Sequence, residues 1–131
     1  MLNKRLKTLL LIMLAGSTLQ LAIAADDTQN GHALVQDAYK EGARIEFDED
    51  QDEVFDAVQQ GLIQPFSALY KTVDQQLNGR LIKVELEEDD DQWIYELKLV
   101  HDNNIIKVEY NATTLEMIEI KGRNLHDVIK K

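Results

Sequence analysis

Side chains able to act as ligands, acids or nucleophiles are plentiful in this chain but poorly arranged for catalysis. His32, His101 and His126 stand far apart, in an amino-terminal arm, a turn and the tail. Zinc sites usually draw on closely spaced ligand pairs, so the three read as surface residues. Glu87-Glu88-Asp89-Asp90-Asp91 offers hard oxygen donors. It lacks the alternating ligand positions and central glycine of a calcium loop, and reads as a solvated hairpin loop. Ser67 falls near the start of a helix with no Gly-x-Ser-x-Gly setting around it. Paired acids are many, but none is expected in an apolar cleft that would drive their pKa values apart. Cysteine is absent, which excludes disulfides, thiolate metal sites and cysteine nucleophiles. The expectation is a protein that is not an enzyme, with no catalytic, cofactor-binding or metal-ligating residue and no cofactor.

The elements that carry these residues are legible from periodicity. From Gly79 to Gly122 the chain reads as four short strands joined by three turns. One face carries Ile82, Val84 and Leu86, then Trp93, Tyr95, Leu97 and Leu99, then Ile106, Val108 and Tyr110, then Ile118 and Ile120. The other carries Lys83/Glu85, Glu96/Lys98, Lys107/Glu109 and Glu119/Lys121. Alternation with a charged outer face marks an antiparallel sheet covered on one side. Trp93 and Tyr95 are expected beneath Leu69, Tyr70 and Val73.

Those eight charges also suggest a register, because unlike charges facing across a ladder stabilise by roughly 0.2–1 kcal/mol and like charges destabilise. Lys83 opposite Glu96 leaves Glu88 to Asp91 as the first loop. An Asn103-Asn104 turn places Lys98 opposite Glu109, and Lys107 opposite Glu119 leaves Asn111 to Leu115 as the third loop. Slipping the first hairpin by two would face Glu85 with Glu96 and Lys83 with Lys98. The charges are read as specifying pairing on a solvated face.

Upstream, His32 to Glu41 suits a short helix stopped by Gly42. The acidic run Asp48 to Asp52 can cap a helix starting near Glu53, with Val54, Phe55, Val58 and Leu62 at helical spacing. Pro65 fits the first turn of a second helix. Phe66, Leu69, Tyr70, Val73 and Leu77 then form an apolar stripe that ends at Asn78-Gly79.

The first 24 residues carry Lys4, Arg5 and Lys7, an apolar run from Leu9 to Ala15, and the exit Ala22-Ile23-Ala24. This is the pattern of a secretory signal peptide cut between Ala24 and Ala25. Gly16, Ser17, Thr18 and Gln20 leave the apolar run short of the roughly 20 residues needed to span a bilayer. Cleavage removes three of 14 basic and none of 24 acidic residues, leaving 11 against 24 and a net charge of −13. Such a chain repels phosphate backbones and anionic membrane surfaces, so neither nucleic acid nor membrane insertion is expected. A periplasmic location is expected.

The order of helix, Pro-started helix, Gly, Val84-Glu85-Leu86-Glu87, Trp93-Ile94-Tyr95-Glu96-Leu97 and Val108-Glu109-Tyr110-Asn111-Ala112-Thr113 resembles the PepSY domain. That module occurs in secreted bacterial proteins and in propeptides of thermolysin-type metallopeptidases. The resemblance runs from about Asp52 to Gly122. It departs from the family in two turns, with Asn103-Asn104 where Asp-Gly is common, and Tyr110-Asn111-Ala112-Thr113-Thr114 where Val-Asp-Ala-x-Thr-Gly is. Asn111-Ala112-Thr113 also matches a glycosylation sequon and is read only as a turn. The expected fold is a two-layer α+β domain, a helical hairpin on a four-stranded antiparallel meander. The expected organisation is a signal peptide (1–24), an acidic, partly disordered arm (25–51), a PepSY-like domain (52–122) and a tail (123–131). What the resemblance implies is a role in binding or restraining peptidases; the first reading is therefore a non-catalytic binding protein that inhibits or regulates a peptidase, and an exposed edge strand, 81–87 or 115–121, is expected to pair with a protein or peptide partner. The alternative is an accessory or sensory protein that takes a cationic ligand, a metal or a membrane-sensor partner.

The Ala22-Ile23-Ala24 exit predicts a mature terminus at Ala25. Intact-mass measurement on exported protein should give the chain from Ala25 onward, and a species retaining Met1 or Leu2 would contradict it.

Overall fold

Phe66, Leu69, Tyr70, Val73 and Leu77 are all buried, and the helix that carries four of them is the centre of the helical layer. The computed structural model describes residues 30–131, and the Ala24–Ala25 junction lies outside them. The elements run α1 (Gly31–Val35), β1 (Arg44–Phe47), α2 (Gln51–Gln59), α3 (Phe66–Gln76), β2 (Arg80–Asp89), β3 (Gln92–His101), β4 (Asn104–Asn111), β5 (Met117–Lys121) and α4 (Leu125–Val128). The class is α+β, as expected. The sheet, however, has five strands in the order β1-β2-β3-β4-β5, not four. β1 joins it in parallel with β2, Arg44 beside Lys83 and Phe47 beside Leu86. Among the described residues there are four helices where a hairpin of two was expected.

Residues assigned to a loose arm are built into this layer. Gly31 approaches the backbone of α2 so closely that a β-carbon there would lie 2.2 Å from the Phe55 nitrogen. Pro65 caps α3 with no side-chain hydrogen bond of its own. The Asp37 carboxylate supplies the acceptor instead, taking the Ser67 N–H at 2.9 Å and the Ser67 hydroxyl at 2.7 Å. Asp50 caps α2 by accepting the Glu53 N–H at 2.9 Å, as the acidic run suggested. The tail is likewise docked: Val128 is fully buried, and Leu77 bridges to Ile129 just past the end of α3. Leu77 is extended, so α3 ends there, before Asn78-Gly79.

Two tyrosines tie the sheet to α3. Tyr95 and Tyr110 are direct cross-strand partners and both are wholly buried. The Tyr95 hydroxyl donates to the Gln64 carbonyl, just before α3, and the Tyr110 hydroxyl donates to Gln76 Oε1 at its end. Burial pushes both phenols up, Tyr110 to about 12. The Tyr95 ring meets Phe66 edge-on with centroids 5.8 Å apart. Trp93 is buried as expected, in the same core cluster as Leu69, Tyr70 and Val73, and it lines an opening together with Ala57 of α2.

The strand register differs from the charge-paired one in all three hairpins. Lys83 faces Lys98, Glu85 faces Glu96, Lys98 faces Lys107, Glu96 faces Glu109, and beyond a bulge Lys107 faces Lys121 and Glu109 faces Glu119. Turn geometry is the reason. Asp90-Asp91 and Asp102-Asn103 both have positive φ at two consecutive residues (52° and 64°, 50° and 65°). That is the requirement of a two-residue turn whose twist matches the strands. The second turn is thus centred one residue before Asn103-Asn104, and the first contains two residues, not four. Ile118 falls in the β5 bulge and is exposed, so it does not share the inner face with Ile120.

The outer face therefore carries two rows running across the strands, Arg44-Lys83-Lys98-Lys107-Lys121 and Glu46-Glu85-Glu96-Glu109-Glu119. Attraction acts between the rows. Lys83 lies 3.2 Å from Glu85 and 3.4 Å from Glu46, Lys107 lies 3.1 Å from Glu96, and Lys121 lies 3.4 Å from Glu119. The hydrogen bond that Lys83 donates to Glu85 raises the Lys83 pKa, and the one that Lys107 donates to Glu96 raises that of Lys107. Burial works against ionisation of Glu46, but Lys83 and Arg44 hold it below the ordinary carboxylate range. Glu87 has no such help. It sits opposite the buried Ile94, and burial first, then Glu85, Glu96, Asp48 and Glu109, raise its pKa.

If these turns set the register, Asn103→Val should cost about 1–2 kcal/mol, because a β-branched residue resists positive φ, while Asn103→Gly should be neutral or stabilising. Urea midpoints of the three proteins test this. A second expectation concerns Glu87. A carboxyl whose pKa is raised by folding binds more protons in the native state, so its contribution to stability falls as pH rises through that range. Glu87→Gln should therefore raise the melting temperature near neutral pH, and the gain should vanish below the ordinary value of 4.5.

Candidate binding site

The three histidines are distributed over separate elements. His32 on α1 stacks on Phe47 with ring centroids 4.0 Å apart and its Nε2 lies 2.8 Å from the Glu49 carbonyl. His101 closes β3 beside Asp102, and His126 lies on α4 beside Asp127. Ser67 is engaged with Asp37 at the start of α3. The third loop keeps its expected role as a turn: Asn111 Oδ1 accepts from the N–H groups of Thr113 and Thr114, and Leu115 closes it at a φ of 63°. The asparagine side-chain oxygen thus holds this turn without an aspartate.

Two surfaces among the described residues could receive a partner. The first is a strand edge. β2 is covered by β1, so 81–87 is not an edge, and the sheet ends instead at β1 and β5. Among the described residues β5 has one strand neighbour, β4, and it exposes Ile118, Glu119 and Lys121. An unpaired strand offers a ladder of N–H and C=O groups to an incoming segment.

The second is an open cleft of about 330 Å³ between α2 and the tip of the β2–β3 hairpin. Glu53, Asp56, Ala57 and Gln60 line one wall, at i, i+3, i+4 and i+7 along a single helix face. Glu88, Asp91, Trp93 and Leu62 complete it. The strand's alternation splits the acidic run, sending Glu87 to the outer face and Glu88 to the helical side, directly opposite Trp93. Burial, then Asp91, Glu49 and Glu53, raise the Glu88 pKa. Glu49, Glu53 and Glu88 bring carboxylate oxygens within 4.8 Å of one another. Two further acidic groupings, Glu46-Asp48-Glu85 and Glu85-Glu87-Glu96, belong to the outer face. Sequence reasoning placed none of these acids in a cleft. The helix-face spacing of Glu53, Asp56 and Ala57 was visible, but its apposition to Glu88 and Trp93 depends on the hairpin register.

Among the described residues, no helix is long and apolar enough to cross a membrane. No curated protein and no solved structure matches the chain. The family model described as "Peptidase propeptide and YPEB domain" matches residues 65–121, from the cap of α3 through β5, and leaves α1, β1 and α2 outside. The helix, the four-stranded meander and its turns carry the resemblance noted in the sequence: residues 65–121 belong to the PepSY family.

Proposed function

We propose that this chain is a non-catalytic binding protein of the bacterial periplasm that restrains or regulates a peptidase, gripping an extended segment of it along β5. The family supports a propeptide-like or regulatory role. The observation that carries the reading is the free β5 edge, where a bulge turns Ile118 out to 47 % exposure beside unpaired backbone. Strand addition draws affinity from main-chain hydrogen bonds and specificity from such side chains. Glu119 and Lys121 follow Ile118 along β5 and keep the edge from pairing indiscriminately, the usual protection of an edge strand.

The experiment is inhibition of purified peptidases captured from periplasmic extract, followed with a fluorogenic peptide substrate. Wild-type protein should slow at least one of them, and Ile118→Lys should weaken the inhibition roughly tenfold or more without lowering stability, since the side chain is exposed. Absence of inhibition, or inhibition unchanged in the variant, would contradict the reading.

A further inference from the structure

We propose that the cleft between α2 and the β2–β3 tip is a receptor for a lysine or arginine side chain presented by a partner polypeptide. The inference deepens the proposed function by naming what the partner carries, at a place separate from β5.

Charge is the first argument. Glu53, Asp56, Glu88 and Asp91 line the cleft, no basic residue lines it, and among the described residues none of the four is in an ion pair. The outer sheet face, by contrast, supplies a cation to Glu46, Glu85, Glu96 and Glu119. The cleft concentrates carboxylates that no basic side chain among the described residues balances.

Trp93 is the second and independent argument. It is only 5 % exposed, and its indole N–H donates to no acceptor among the described residues, whereas the Tyr95 and Tyr110 hydroxyls both donate to protein. Among the described residues, the fully enclosed side-chain polar atom without a partner is the Tyr70 hydroxyl. The Trp93 N–H therefore keeps contact with solvent, and Trp93 lines this cleft. A buried donor normally has a partner. Here the partner is solvent, and an acceptor bound in the cleft would replace it.

Together these requirements select the ligand. It must bring positive charge to four carboxylates and an acceptor oxygen to an indole N–H, and it must tolerate the apolar surface of Ala57, Leu62 and the indole ring. A divalent metal meets only the first condition. A lysine or arginine residue in a chain meets all three: the charged head among the carboxylates, the alkyl stem along the apolar wall, and its own or a neighbouring carbonyl on the Trp93 N–H. The volume of about 330 Å³ lies at the small end of ligand pockets and suits one long side chain.

Trp93 is the chain's single tryptophan, so its indole N–H resonance and its fluorescence report the cleft directly. The probes are capped tripeptides Gly-Lys-Gly and Gly-Arg-Gly, the uncharged Gly-norleucine-Gly, and calcium chloride. The two basic peptides should shift the indole resonance saturably while norleucine does not. Doubling the loss of charge with Glu53→Gln and Glu88→Gln should weaken binding about tenfold or more. Both positions are exposed, and a dispersed spectrum of the double variant confirms that it folds. An equal shift from the norleucine peptide, no saturable shift from any peptide, or a response to calcium without one to the peptides would each overturn the proposal. Ile118→Lys should leave peptide binding at the cleft intact, so loss at one surface is separable from loss at the other.

Discussion

Two tight turns govern most of what this structure does. At Asp90-Asp91 and Asp102-Asn103 the chain accepts positive φ at consecutive residues, a conformation that aspartate and asparagine tolerate because their short polar side chains bond locally. Once two residues rather than four close the first hairpin, every pairing behind them is determined. Glu88 is set against Trp93, Leu86 against Tyr95, and Tyr95 in turn against Tyr110. The two hydroxyls then reach opposite ends of α3 and hold the helical layer at its length. Cleft, core and charged face all follow from turn geometry.

That dependence explains what periodicity could and could not reveal. Alternation identifies which side chains share a face, and the inner positions Val84, Leu86, Tyr95, Leu97, Val108 and Tyr110 are buried accordingly. A slip of two residues leaves each face unchanged, so alternation is silent about register, and exposed charge pairs worth a few tenths of a kcal/mol are a weak guide to it. β1 was hidden for a different reason. Arg44-Ile45-Glu46-Phe47 alternates correctly but spans four residues inside an acidic segment, and its partner in β2 lies two helices further along the chain. The α3 stripe was plain because a helix pattern is local. Its cap was not, because Asp37 supplies it from thirty residues upstream.

Like charges stacked across five strands look unfavourable when strands are compared pairwise. The arrangement is neutral in the direction that matters, because each acidic row lies beside a basic one and the ion pairs form between rows. Such pairs are individually weak in water, but they leave the outer face with little net field at short range. A cationic partner arriving there would have to displace Lys83 or Lys107 from Glu85 or Glu96.

The cleft presents the opposite case. Burial first, and then Asp91, Glu49 and Glu53, raise the Glu88 pKa, so a cation arriving there relieves an existing penalty instead of exchanging one ion pair for another. Trp93 provides what a purely acidic surface lacks, a fixed donor that also fixes orientation. Electrostatic attraction of a strongly acidic protein for basic segments is long-ranged and indiscriminate; a buried donor is short-ranged and exacting, since leaving it unpaired beneath a bound chain is costly. The register that places Glu88 opposite Trp93 is therefore also what joins the two, giving a site in which charge recruits and the indole selects.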